Sequence, residues 1–250
     1  VSAPLRPFFK YYGSKHNVSH LLPAPEHPLL VEPFAGSAGY ALRYPDRQVV
    51  LVERDPVIAG IWRYLIDAAG RADGAREILV LPDLRPDGSI EDVDAPWPAR
   101  HLIGFWLNRG GVTHHNYRPS AWMKLWLEEG RRDCSFWGPA ARERIAEQLP
   151  AIRHWKVFHA SYADCPDREA TWFVDPPYLG GSSTFRGLGS YYRINARTID
   201  YGHLGRWCRR RRGQIIVCEG SGARWLPFTS DGAPRGHVAW QKPARARELA

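Results

Sequence analysis

Sulfur is scarce in this chain of 250 residues, which has one methionine and four cysteines. The cysteines, Cys134, Cys165, Cys208 and Cys218, form no CxxC pair. They suggest no zinc site and read as reduced, mostly buried thiols of a cytoplasmic protein. His114-His115 is a lone pair in a loop-like stretch and reads as solvated rather than metal-bound. No apolar run approaches the ~18 residues of a membrane span, so no membrane partner is expected. A basic-plus-apolar leader is missing, which speaks against secretion. Internal repeats and low-complexity tracts are missing too. What is present, with 44% hydrophobic residues, suits one α/β domain with a helical insertion.

The most informative segment is Asp175-Pro176-Pro177-Tyr178. It follows Thr171-Trp172-Phe173-Val174, an apolar run that reads as a short buried strand. Two consecutive prolines cannot continue a strand or open a regular helix, so the chain stops and turns there. An acid, two rigid carbonyl-bearing residues and an aromatic ring thus stand at the carboxyl end of a strand, the edge where open α/β sheets bind ligands. The Asp175 carboxylate and the Pro176 carbonyl can accept from an exocyclic amino group, and Tyr178 can stack on the base that carries it. The competing reading is a plain strand-to-loop turn.

Residues 29–32 read as an earlier strand, followed by Pro33-Phe34-Ala35-Gly36-Ser37-Ala38-Gly39. Small residues there let backbone approach a ligand closely, although the pattern is not GxGxxG. The next strand, 49–53, ends at Glu53. An acid at the end of the second strand is where a nucleotide-type ribose is held through its hydroxyls. Glu53 reads either so or as a solvated strand end, and Asp55 competes for the same role.

Charge is unevenly placed. Lys+Arg minus Asp+Glu is −3 over residues 1–96, +3 over 97–150 and +8 over 151–250. A polyanion lying across one side fits that asymmetry. The middle segment, 70–152, is too long for a simple crossover. Five of the eleven tryptophans fall between Trp97 and Trp137, as expected of a small helical subdomain with its own packing. Trp122, Leu125 and Trp126 have helical spacing and read as core. Arg109, Arg118, Arg131 and Arg132 lie beside loop signals and are candidates to reach a DNA duplex, through guanine edges or phosphates. Arg209-Arg210-Arg211-Arg212 reads as a helix terminus or a phosphate contact.

Five blocks occur in order: Phe9-Lys10-Tyr11-Tyr12-Gly13-Ser14-Lys15, Val31 to Gly36, Glu53, Ser161-Tyr162-Ala163-Asp164, and Asp175 to Tyr178. Together with Phe105 to Gly111, Asn116-Tyr117-Arg118 and Phe136-Trp137-Gly138, the set resembles the Dam-like family of adenine-N6 DNA methyltransferases. It departs from the usual pattern at Tyr11, where that family has tryptophan, at Tyr12 and Ser14, where it has small residues, and at Glu53, where it has aspartate. The resemblance covers roughly residues 7–220.

It implies a Rossmann-like methyltransferase sheet with helices on both faces. The catalytic domain would comprise residues 1–69 and 153–250, with 70–152 as an inserted helical DNA-recognition subdomain. S-adenosyl-L-methionine would be the cofactor and double-stranded DNA the partner, with no metal and no obligate protein partner. Tyr11 and Lys15 would hold the methionine end, Lys15 by pairing with its carboxylate. Glu32, Phe34 and Gly36 would line the cofactor loop, and Glu53 would take the ribose. Tyr162 and Asp164 would face the cofactor's adenine. Asp175 to Tyr178 would capture the flipped base beside the cofactor, with Lys10 on the DNA side. Without the resemblance, Lys10 and Lys15 read as surface lysines and Tyr162 as a core tyrosine. The alternatives are a related transferase acting on RNA or another exocyclic amine, and a nucleic-acid-binding homologue without turnover.

Strands are expected near 29–32, 49–53, 155–159, 171–175 and 214–219. The segment from Gly180 to Ser183 is expected to be a mobile loop, with Tyr191, Tyr192 and Arg193 beside the extruded strand. Trp225-Leu226-Pro227-Phe228 is expected to pack, and the tail from Gln241 to be disordered.

Overall fold

The computed structural model describes residues 2–108, 114–131, 133–179, 192–230 and 237–242. Its centre is a six-stranded sheet of order β3-β2-β1-β4-β5-β6. The strands are β1 (Leu29–Glu32), β2 (Gln48–Glu53), β3 (Lys156–His159), β4 (Ala170–Val174), β5 (Gly213–Gly220) and β6 (His237–Gln241). All pairings are parallel except β5 with β6. The helices are α1 (Pro56–Ala69), α2 (Gly74–Leu79), α3 (Trp97–Gly104), α4 (Ala121–Glu128), α5 (Pro139–Gln148) and α6 (Tyr201–Arg210).

Side chains alternate along the inner strands and divide the core in two. Leu30, Leu51, Phe173 and Ile216 join one buried cluster with α1, α3 and α5. Their neighbours Val31, Val52, Trp172, Val174, Ile215 and Val217 join the other, under Leu204, Trp207 and Cys208 of α6. β4 is buried at every position, which accounts for its unbroken apolar run. Helices therefore cover both faces, and the helices of 70–152 share a core with α1.

Several local expectations change. Trp126 is buried, but Trp122 is 60% and Leu125 51% exposed, on the opposite side of α4. The helical spacing is real, yet only the Met123–Trp126 side meets the core. His115 is buried rather than solvated, with its ring centre 4.1 Å from that of His101, and burial lowers its pKa to about 4. β6 adds an antiparallel edge strand through Gln241, a position expected in a disordered tail. Leu226 is buried, as expected. Cys165, Cys208 and Cys218 are buried free thiols, and Cys134 is half-buried. Arg211 lies over the Trp172 and Trp207 rings and pairs with Asp167, as does Arg212, so this part of the arginine run is tied into the fold. Among the described residues no helix is long and apolar enough to cross a membrane, and no group of side chains is suited to hold a metal ion.

β1 and β4 are the pair from which the sheet grows outward in both directions. A crevice at their carboxyl ends is the expected ligand position in such a sheet.

Candidate active site

That crevice is a cavity of about 350 Å³, within the range of small-molecule sites. Its lining joins the N-terminal loop around Tyr11 to Lys15, the loop after β1, the end of β2, Tyr162, and Asp175 to Tyr178.

The loop after β1 is strained where it approaches the ligand space. Gly36 has φ +46°, and a Cβ there would stand 3.0 Å from the Tyr11 ring. Ala38 has φ 53°, the one positive φ outside glycine among the described residues, at a cost of about 1–2 kcal/mol. At Gly39 a Cβ would meet the backbone nitrogens of Lys15 and His16 at 2.7 Å. Glycine thus lets the N-terminal loop lie directly on this one. Trp62 Nε1 donates to Gly36 O at 2.7 Å and fixes the turn from below.

Glu53 holds the same loop from β2. Its Oε2 accepts from Gly36 N and its Oε1 from Asp55 N, each at 2.9 Å. A carboxylate has about four lone-pair sites, so two remain for a ligand's hydroxyls. Burial raises the Glu53 pKa, and the amides of Asp55 and Gly36 oppose that rise. Asp55 is committed elsewhere, because its side chain caps α1 by accepting from Val57 N at 2.9 Å ahead of Pro56. Both acids line the cavity, and the helix cap commits one Asp55 oxygen.

Glu32, at the end of β1, is 2% exposed and accepts from Ala41 N at 2.6 Å. Burial pushes its carboxyl up to about 8. Phe34 and Tyr162 lie nearly parallel, with ring centres 5.3 Å apart, and both line the cavity. Tyr162 is held by a 2.8 Å hydrogen bond between its hydroxyl and His203 Nδ1. Asp164 does not line the cavity; its Oδ2 accepts from Ser161 N at 3.0 Å in a capping box on the Tyr162–Asp164 turn.

Lys15 is 6% exposed and donates to Asp175 Oδ2 and to Gly13 O, both at 2.7 Å. The same ammonium lies 4.9 Å from the centre of the Tyr178 ring. Its partners thus belong to the protein, and a ligand carboxylate at this point would share it with Asp175. Burial and then the Asp175 charge hold the Tyr178 phenol well above its usual pKa. Asp175 Oδ1 is buried and has no hydrogen-bond partner among the described residues, and the same is true of Ser37 Oγ. Both residues line the cavity, so a bound ligand can satisfy them.

The turn that carries Asp175 is clamped from behind. Tyr201 Oη donates to Pro177 O. Glu219, fully buried at the end of β5, accepts from Leu179 N at 3.2 Å, Trp225 Nε1 at 2.9 Å and Gly220 N at 2.7 Å. Sequence reasoning missed Glu219 and Tyr201. A lone acid closing an apolar strand ahead of glycine was the available signal for Glu219, whereas Tyr201 carried none. Ser37 and Gly39 were missed as individual residues within the small-residue loop.

The expected DNA contacts are more dispersed. Lys10 donates to Asn108 O at 3.0 Å and to Ser135 O, and lies over the Trp106 and Phe136 rings. Arg118 donates to Asp87 O at 2.8 Å, and Arg131 is 60% exposed beside Glu129. Arg109, Arg132, Tyr191 and the segment from Gly180 to Ser183 lie outside the described residues. Tyr192 donates from Oη to Tyr12 O at 3.0 Å and closes one wall of the cavity. No protein-family model matches the chain, and no curated protein sequence matches it.

Proposed function

We propose that this chain transfers a methyl group from S-adenosyl-L-methionine to the N6 amino group of adenine in DNA. The observation that carries the reading is Asp175 Oδ1. It is a buried acceptor with no hydrogen-bond partner among the described residues, on a rigid two-proline turn, in the same cavity as a carboxylate suited to vicinal hydroxyls.

The residues present fit the cofactor. Glu53 keeps two lone-pair sites for the ribose hydroxyls, Phe34 and Tyr162 offer aromatic faces to a planar base, and Tyr11 and Ser37 line the remaining wall. When bound, the cofactor supplies an electrophilic methyl group on a sulfonium. Asp175 and the Pro176 carbonyl accept hydrogen bonds from the two N–H groups of the target amine and fix its orientation. The amine's lone pair is otherwise delocalised into the ring, so orientation supplies much of the rate. Lys15 holds the Asp175 carboxylate in place through its 2.7 Å contact with Oδ2. Tyr178 stacks on the extruded base and offsets the few kcal/mol that flipping costs. Substrate charge favours nucleic acid, given the net +8 over residues 151–250.

The test is incubation with labelled cofactor and unmethylated DNA or RNA, then digestion and nucleoside mass spectrometry. N6-methyldeoxyadenosine is expected. A product only on cytosine, only on RNA, or no product with cofactor bound would overturn the proposal.

A further inference from the structure

A second cavity, about 270 Å³, opens beside the first and shares Tyr11 and Ser14 with it. Arg144 of α5 lines it together with His16 and Asn17 of the N-terminal loop, Lys10 and Trp106. Among the described residues no carboxylate lines it.

Its donors are placed but incompletely used. Arg144 Nη2 donates to Pro7 O at 3.0 Å, and the guanidinium lies 4.7 Å from the centre of the Trp106 ring. Arg144 Nε and His16 Nδ1 are both buried with no hydrogen-bond partner among the described residues. The Arg144 Nε–H is a donor in any state, and a buried donor left so is costly unless something else accepts from it. The charges acting on His16 are those of Arg43, Arg144 and Arg6, which add to burial in lowering its pKa. Among the described residues none of these arginines pairs with a carboxylate. Of these cations Arg144 lines the cavity together with Lys10, while Arg43 and Arg6 act from outside its lining, and an anion in the cavity offsets their combined charge.

We infer that this cavity is a phosphate subsite, taking a backbone phosphodiester of the DNA strand that carries the target adenine. The inference rests on the proposed function. Its position favours a phosphodiester over a free ion. The cavity shares a wall with the candidate active site, and Asn17 is exposed at its rim, so a continuous strand can pass from one to the other. A planar guanidinium braced on an aromatic ring suits a phosphate's oxygens, which accept from it in a fork. Holding the strand beside the extruded nucleotide fixes the register of the base without reading sequence.

The experiment measures binding of a fluorescein-labelled DNA duplex across a salt series. It compares wild type, Arg144→Gln and Asn17→Asp, with cofactor affinity and melting temperature recorded for each. Asn17 is exposed, so its substitution places a negative charge at the rim without disturbing the Arg144 contacts. Both variants should bind DNA several-fold more weakly with cofactor affinity unchanged, and Arg144→Gln should flatten the log–log salt slope by about 0.9, the value of one phosphate. If wild type binds DNA with steep salt dependence and both variants match it, the subsite is wrong while the function stands. If Arg144→Gln abolishes binding of inorganic phosphate but leaves DNA affinity intact, the site is one for small anions, and the inference fails. Failure of wild type to bind DNA at all would bring down the functional reading and the subsite together.

Discussion

Lys15 Nζ and Asp175 Oδ2 are 2.7 Å apart, although 160 residues separate them in sequence. The pair joins the N-terminal loop to the turn after β4 across the crevice between the two halves of the sheet. Their side chains are 6% and 17% exposed, so the pair is largely removed from water. Removing one partner of such a pair leaves the other charge poorly compensated.

Lys15→Met should therefore lower stability by about 2–3 kcal/mol, somewhat below the value for a fully buried pair because Asp175 retains some solvent. Methyl transfer at saturating cofactor should fall by more than cofactor affinity does, because the lysine bears on the residue that orients the amine. Denaturant unfolding and single-turnover assays read the two effects. Wild-type values in both would remove the pair from the mechanism.

Glu53→Ala should weaken S-adenosylmethionine binding by about 1–3 kcal/mol. The loss has two sources, the ribose hydroxyls left without an acceptor and the release of Gly36 N and Asp55 N. Calorimetry at fixed pH measures it. Undiminished affinity would take Glu53 out of the cofactor site.

Much of this arrangement is legible in the sequence, and the reason is burial. Parallel strands covered on both faces become short apolar runs, so β1, β2, β4 and β5 stand out, and the acids or prolines that end them mark the ligand edge. The choice between Glu53 and Asp55 was not legible. Both follow the same strand, and only the cap on α1 separates them. Trp122 and Trp126 share a helical spacing that shows a face exists without showing how wide it is. β6 is a strand of mixed polarity that pairs with β5 and, through Ala239, with Thr229, so no local pattern announces it. Arg144 carries no sequence signal because α5 mixes polar and apolar residues without a marked stripe, and its place beside His16 depends on contacts between segments about 130 residues apart.

Glu32 makes stability depend on pH. Burial lifts its carboxyl from an ordinary 4.5 to about 8. Between those values the folded protein holds a proton that the unfolded chain has lost. Its contribution is fully present below about pH 4.5 and is lost as pH rises through about 8. Glu32→Gln keeps a carbonyl for Ala41 N and cannot ionise, so the variant should lose this part of the slope and gain stability relative to wild type toward pH 8. Urea unfolding over that range, cofactor-free, tests it. Parallel curves for the two proteins would contradict a neutral Glu32.

Glu219→Ala should be severe. It leaves the Leu179 and Gly220 amides and the Trp225 indole without the acceptor that the fully buried Glu219 supplies, at a cost of about 2–4 kcal/mol. Tyr201→Phe removes only the donor to Pro177 O and should fold normally, with slower transfer from a looser turn. Hydrogen exchange at Leu179, compared between wild type and Tyr201→Phe, reports whether the turn loosens. Unchanged exchange together with unchanged transfer would show that the clamp is not needed.

Asp175 and Tyr178 carry the sharpest expectation. Asp175→Ala should nearly abolish transfer, because the target amine loses both its acceptor and its orientation. The variant also frees Lys15, so its stability must be measured beside its rate. Tyr178→Ala should slow transfer by removing the stacking surface, worth about 1–3 kcal/mol per base. Tyr178→Phe keeps the ring that covers Lys15 and should be milder. Single-turnover transfer at saturating cofactor, with the DNA digested to nucleosides, separates the cases. Full activity of Asp175→Ala would defeat the mechanism. A loss in Tyr178→Phe as deep as in Tyr178→Ala would move the tyrosine's contribution from its ring to its hydroxyl, whose pKa burial and the Asp175 charge raise.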